Sequence, residues 1–282
     1  MDQYYFEFVG LRVILRSPHP VTISNRLTPF LCPPHEQNAD CTILLEICES
    51  LPKPESGNWH GPECYVQKED RLQIFHCHKA FEEPFALTTI LQKGGVDIAV
   101  LPQYAQYFAG SSGIFNRIGF ENLLLQHKGL LLHASLIEYD RQGIAFTGPS
   151  GVGKSTQAQI WQDHLGAKIL NGDRAALRMT PSGWMAYGSP YAGTSGIYRN
   201  EQAPLSAIVV LKQAEENRLR QLSAAEALRA IWPEISARRE DRTFVAEATG
   251  LCARLLSNVP VYLLECLPDE NAATLLKKGL SL

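Results

Sequence analysis

Gly148-Pro149-Ser150-Gly151-Val152-Gly153-Lys154-Ser155 fits the pattern G-x-x-x-x-G-K-[ST] at every fixed position. Each part of that pattern has a physical task. Glycines let the backbone wrap closely around phosphate oxygens. Successive N–H groups form an anion nest, and the start of the following helix adds the positive end of its dipole. In this arrangement Lys154 is a point charge for the β- and γ-phosphates, and the Ser155 hydroxyl is a ligand for Mg²⁺. Gly148 through Thr156 therefore reads as a nucleoside triphosphate site. ATP is the expected nucleotide, because the chain has no Asn-Lys-x-Asp motif to read guanine.

Such a site needs a carboxylate for the metal ion or its waters. Asp173 is the candidate: it closes Asn171-Gly172-Asp173, just after the first strand beyond the loop helix, so an α/β arrangement brings it near the loop. The competing reading is turn chemistry, which Asn-Gly-Asp also favours. His133 lies in Leu132-His133-Ala134-Ser135-Leu136, on the opposite strand face to its leucine neighbours. An imidazole there suits proton acceptance, and equally a hydrogen-bonded structural niche. The small, polar Ser189–Gly196 segment is either a closing loop or a surface loop. Arg174 and Arg199 are candidates for stabilising phosphoryl charge, against the reading of ordinary surface arginines.

The elements that must position these residues are legible from periodicity and breakers. Leu130–Tyr139 is a strong strand, Asp140-Arg141-Gln142-Gly143 a hairpin turn, and Ile144–Thr147 a short buried strand leading into the loop. Lys154–Leu165 reads as a helix stopped at Gly166. Lys168–Leu170 is a strand, and Ala175–Thr180 with Trp184–Tyr187 is a hairpin around Pro181-Ser182-Gly183. Leu205–Leu211 and Val259–Glu265 are strands, Asp241–Leu256 and Asp269–Lys278 are helices, and Ser223-Ala224-Ala225-Glu226 is a capping box. Upstream, residues 4–16 alternate as one long strand or a strand pair, and Thr42–Cys48 is a further strand. Cys64–Gln67 and Leu72–His76 form a hairpin, while Ile114–His127 reads as a helix. Residues 1–112 are thus expected to be a β-rich region, and 113–282 a nucleotide-binding domain.

Composition sets the remaining bounds. The 282 residues are 45% hydrophobic and 20% charged, an ordinary globular balance. A formal net charge of -3 gives no global field for nucleic acid or an anionic membrane, so neither is expected as a partner. Arg238, Arg239 and Arg242 cluster, but Glu240 and Asp241 interleave with them, which reads as a solvated helix face. Seven cysteines with no C-x-x-C spacing point to a reducing compartment. With no signal-peptide pattern at the start and no apolar run near the ~20 residues of a bilayer span, a cytoplasmic protein is expected. His60, Cys64, His76, Cys77 and His78 are potential soft ligands, but their spacing matches no zinc motif.

Leu131-Leu132-His133-Ala134-Ser135, the hairpin to Gly148, the loop itself and Ile169-Leu170-Asn171-Gly172-Asp173 resemble the C-terminal catalytic domain of HPr kinase/phosphorylase. His133, Ser150, Gly151, Gly153, Lys154, Ser155 and Asp173 match that family position by position, over roughly residues 125–270. The resemblance is closer still to HPr-kinase-like proteins of peptide-modification gene clusters, some of which phosphorylate a precursor peptide. Asn171–Arg174, Gly193–Gly196 and Glu216–Arg218 carry it. One departure stands out: Gly172 occupies the place of the first of the family's two acidic residues. In the family that pair serves Mg²⁺ binding and activation of the attacking serine, so its loss speaks against reverse phosphorolysis here.

The resemblance implies an α/β fold: a P-loop-containing HPr-kinase-like core with a mixed sheet and flanking helices, preceded by the β-rich region. It implies an ATP- and Mg²⁺-dependent kinase that transfers the γ-phosphoryl group to a hydroxyl, serine first, of a peptide or protein. Lys154, Asp173 and His133 would be catalytic, Ser155 and Asp173 would hold the metal, and Gly148, Pro149, Ser150, Gly151, Val152, Gly153, Lys154, Ser155 and Thr156 would hold the nucleotide. Two alternatives stay open: an ATP-binding regulatory module or NTPase without transfer, and a kinase acting on a small molecule. The N-terminal region is the expected docking region for the partner, and the sequence leaves room for a homo-oligomer.

Overall fold

The computed structural model describes residues 1–35, 39–92, 94–239 and 241–282. The chain divides into two compact units: Met1–Gln126 with Arg239–Arg242, and His127–Arg238 with Thr243–Leu282.

The first unit contains β1 (Asp2–Phe8), β2 (Leu11–Ser17), β3 (Cys41–Ile47), β4 (Asn58–His60), β5 (Glu63–Gln67), β6 (Arg71–His76), β7 (Ala86–Leu91), β8 (Gly95–Val100), α1 (Ser111–Phe115) and α2 (Phe120–Gln126). Its strands form one mixed sheet in the order β1-β2-β3-β8-β7-β6-β5-β4. The alternation in residues 4–16 resolves into an antiparallel hairpin, because Val9 and Gly10 both take positive φ, of 58° and 65°. The helix expected over Ile114–His127 is two short helices, broken where Gly119 turns left-handed at φ 62°. Both helices lie in this first unit, which runs past residue 112 to Gln126. Phe8 shows why: its ring meets those of Phe30, Phe115 and Phe120.

The soft-ligand residues of this unit have other employment. His76 Nδ1 is 2.9 Å from Glu63 and Nε2 is 2.9 Å from Thr88 Oγ1. Cys64 packs with Phe75 and Leu87, and His78 stacks on Phe85.

The second unit contains β9 (Gly129–Tyr139), β10 (Gln142–Thr147), α3 (Lys154–Leu165), β11 (Lys168–Asn171), β12 (Arg174–Thr180), β13 (Gly183–Tyr187), β14 (Gln202–Gln213), β15 (Arg218–Gln221), α4 (Ala224–Ile231), α5 (Arg242–Asn258), β16 (Val261–Cys266) and α6 (Glu270–Gly279). The sheet is mixed, in the order β10-β9-β12-β13-β14-β16-β15, with β11 also on β9 and β10 also on β14. The long strand β9 organises it. One half pairs with β12 and the other with β11, while its opposite edge carries β10. The tight β9–β10 hairpin follows from Asp140 and Arg141, both at positive φ. β10 and β16 both run parallel to β14, so these three strands end on the same side.

Helix α3 covers the sheet through Ala158 and the fully buried Trp161, whose ring meets those of Tyr139 and Phe146. Ala272, Ala273 and Leu276 of α6 join the same core. Burial of one large side chain such as Trp161 contributes about 3 kcal/mol at 25 cal/mol per Å² of apolar surface. Asp269 caps α6, accepting from Ala272 N–H.

The basic cluster is not a solvated helix face throughout. Arg238 is buried with its guanidinium over the Phe244 ring, where stacking and stem burial outweigh exposure. Glu240 lies outside the described residues. Among the described residues, no helix is long and apolar enough to cross a membrane.

Candidate functional site

The Gly-rich loop joins the end of β10 to α3. Three of its residues require a conformation that only glycine adopts without strain: Gly148, Gly151 and Gly153 have φ of 138°, 79° and 111°. No atom lies within 4 Å of where a Cβ would stand on Gly151 or Gly153, so the loop faces open space there. Pro149, Ser150, Ser155 and Thr156 are exposed, whereas Lys154 is buried. Its Nζ donates to the carbonyls of Gly148 and Pro149 at 2.7 and 3.0 Å. Burial lowers the Lys154 pKa from its ordinary value, and the charges of Glu234 and then Asp173 oppose that shift.

His133 is brought to this loop by the strand next to β10. The Thr147 hydroxyl, at the mouth of the loop, donates to the His133 carbonyl at 2.9 Å. The ring of His133 stands between two carboxylates. Nε2 is 3.5 Å from Asp173 Oδ1, and Nδ1 is 2.9 Å from Glu234 Oε2.

Asp173 is held by an unusually complete set of backbone anchors. Asn171 is fully buried. Its side-chain oxygen accepts from the N–H groups of Asp173 and Arg174 at 2.8 and 2.7 Å, as in an Asx turn. Its amide nitrogen donates to the carbonyls of Ser189 and Tyr191 at 2.9 and 3.2 Å. From β9, Ala134 N–H donates to Asp173 O at 2.8 Å, and the Ser135 hydroxyl donates to Gly172 O at 3.1 Å. The turn reading of Asn171-Gly172-Asp173 is what the structure shows, and the turn sets the Asp173 carboxylate beside the His133 ring.

The Ser189–Gly196 segment lies against the same turn. A Cβ on Gly193, which has φ 54°, would fall 2.6 Å from Asp173 Cγ. A Cβ on Gly172 would collide with Ser195 Oγ and stand 2.5 Å from Ser195 Cβ. Position 172 therefore has no room for a side chain while Ser195 stands there. Of the two arginines, Arg174 reaches Asp173 Oδ2 at 3.6 Å and also contacts the Ser236 hydroxyl. Arg199 is engaged elsewhere, its Nε donating to Ile169 O at 2.9 Å.

Glu234 escaped sequence reasoning. It is 101 residues from His133, and no motif joins the two. It sits in the 3-10 turn Trp232–Glu234 that continues α4, and its side chain is 12% exposed. Ile235 bridges to Leu132 and Ser236 N–H donates to Leu131 O at 2.8 Å, which stitches the turn to the edge of β9 beside His133. The capping box at the start of α4 was the nearest available signal, and it announced only the helix.

On its outer side the loop borders a cleft of about 420 Å³, lined by Val152, Thr156, Gln157, Gln213, Cys266 and Leu267. Gln213 ties the wall of the cleft to the loop, its amide donating to Gly151 O at 3.3 Å. The Gln157 side-chain oxygen is buried there without a hydrogen-bond partner among the described residues.

No family model matches the chain, and no curated protein matches it. Among solved structures, the chain is similar to the HPr(Ser) kinase/phosphatase from Coxiella burnetii. The identity is 15%, the match covers 52% of this chain and 86% of that one, and the TM-score is 0.32.

Proposed function

We propose that this chain is an ATP- and Mg²⁺-dependent kinase that phosphorylates a serine hydroxyl of a peptide or protein. One observation carries the reading. A Gly-Lys-Ser loop with open space above Gly151 and Gly153 stands beside an imidazole whose Nε2 is 3.5 Å from an anchored carboxylate.

The residues present suit a triphosphate and its metal ion. The left-handed glycines suit close approach by phosphate oxygens. Lys154 is held by two loop carbonyls, and a phosphate would be the stronger partner for an ammonium. Ser155 and Asp173 would hold Mg²⁺, which when bound neutralises charge on the phosphates. Gly148 through Thr156 would cradle the phosphates, and the 420 Å³ cleft beyond Thr156 is the place for the nucleoside.

The chain's own groups then have distinct tasks. Lys154 stabilises charge on the transferring group. His133 Nε2 takes the proton of the acceptor hydroxyl as its oxygen bonds to the γ-phosphorus. The Gly193–Ser195 turn, packed on Asp173 and Gly172, bounds the space where an acceptor would lie.

Incubation of the chain with Mg²⁺, γ-labelled ATP and serine-containing peptides tests this reading. Label on peptide serine is the expected result. Label only in free phosphate would make the chain an NTPase, and tight ATP binding without either product would make it a regulatory module.

A further inference from the structure

We infer that Glu234 is a positioning residue of this site: it fixes the His133 ring as the Nδ1–H tautomer and leaves the Nε2 lone pair for the acceptor hydroxyl. The catalytic half of this inference rests on the kinase reading above; the tautomer half does not.

The geometry distinguishes the two carboxylates beside the ring. Glu234 Oε2 is 2.9 Å from Nδ1, an ordinary hydrogen-bond distance. Asp173 Oδ1 is 3.5 Å from Nε2, too far for a strong hydrogen bond. An imidazole with one N–H places it on the nitrogen with the nearer acceptor, so Nδ1 donates to Glu234. Which ring nitrogen is free is set by the bond the other makes.

Glu234 is itself well fixed. Its side chain is nearly buried, and the turn that carries it is stitched to β9 on its C-terminal side by Ile235 and Ser236. Pro233 stiffens the turn. Glu234 thus brings a carboxylate to the His133 ring from a turn distant in sequence.

In the transfer step, the acceptor oxygen forms a bond to the γ-phosphorus and the bond from that phosphorus to the β,γ-bridging oxygen breaks, leaving ADP. The acceptor proton passes to Nε2. The ring then holds a proton on both nitrogens, and the Glu234 carboxylate stabilises that cation until Nε2 releases its proton to water.

The test compares the full-length wild type with Glu234→Gln and Glu234→Ala. Nitrogen-15 spectra of the His133 ring report the tautomer without any reaction. The wild type and Glu234→Gln should hold Nδ1–H, because the glutamine oxygen still accepts, whereas Glu234→Ala should lose that preference. With ATP and a peptide acceptor, Glu234→Ala should lower kcat about 100-fold or more with KM changed less than about threefold, and Glu234→Gln should recover part of the loss. Binding of a fluorescent ATP analogue should be unchanged in both, which controls for folding. An unchanged tautomer in Glu234→Ala, or full kcat with the tautomer lost, would overturn the inference. The expected tautomer pattern without peptide phosphorylation in the wild type would instead overturn the kinase reading and leave the Glu234–His133 pairing standing.

Discussion

Ser195 fills the space above Gly172, so that a Cβ at position 172 would collide with its hydroxyl oxygen. The contact links the turn that aims Asp173 to the Gly193–Ser195 turn, and it explains why residue 172 carries no side chain. Gly172→Ala is expected to destabilise the protein by about 1–3 kcal/mol and to displace Asp173. Ser195→Gly removes both atoms that cause the collision, so the double variant should recover much of the loss in a thermodynamic cycle. Additive losses in a denaturant titration would show that the two turns are not coupled. Gly172→Asp should destabilise the protein for the same reason.

Asn171 holds the Asp173 turn from one side and Ser189 and Tyr191 from the other. Asn171→Ala leaves several of those backbone groups buried and unpaired, at about 1–3 kcal/mol for each such group. Thermal unfolding should show the loss. Amide hydrogen exchange should place it in residues 171–174 and 189–191; a uniform change over the whole unit would argue against a local anchor.

Much of this site was legible in the sequence because its key contacts are local or nearly so. The strand β10, the loop and α3 follow from one motif, an apolar run and a glycine stop, and Gly166 does end the helix with φ 73°. The Asp140-Arg141 hairpin likewise needed only its turn residues. Other elements carried weaker signals. Strand β7 carries little signal, since Ala86–Leu91 is almost continuously buried and shows little alternation. β15 is a short, mostly exposed edge strand held by β16 rather than by its own pattern. Glu234 was out of reach, because its place beside His133 is created by tertiary pairing of residues 235 and 236 with β9.

The capping box of α4 provides a pH test. The Glu226 carboxylate is held down to about 2, chiefly by the Ser223 backbone N–H, then by the Ser223 hydroxyl and Arg220. A carboxylate depressed in the folded state stabilises it above the ordinary value of 4.5, and that contribution is lost as pH falls through about 2. Amide protection at the start of α4 should therefore decline between those limits. Glu226→Gln should flatten that decline; an unchanged profile in the variant would remove Glu226 as its cause.

Thiol reactivity should follow burial. Burial pushes the Cys41 thiol up to about 12, with Asp40 adding to it, and the Cys252 thiol up to about 11. Since the thiolate is the nucleophile, neither should react with iodoacetamide at pH 8 in the native protein. The half-buried Cys32 and Cys48 should be labelled first. Peptide mapping that found Cys252 labelled ahead of Cys48 would contradict the packing of α5.

The most direct test of the proposed function is the ratio of products. The full-length chain, with Mg²⁺, ATP and a serine peptide, should release about one ADP for each phosphoserine formed, as phosphoryl transfer requires. Lys154→Ala should lower both products together, by about 100-fold or more. ADP released without phosphoserine, or undiminished phosphoserine from Lys154→Ala, would contradict a kinase built on the Gly148–Thr156 loop.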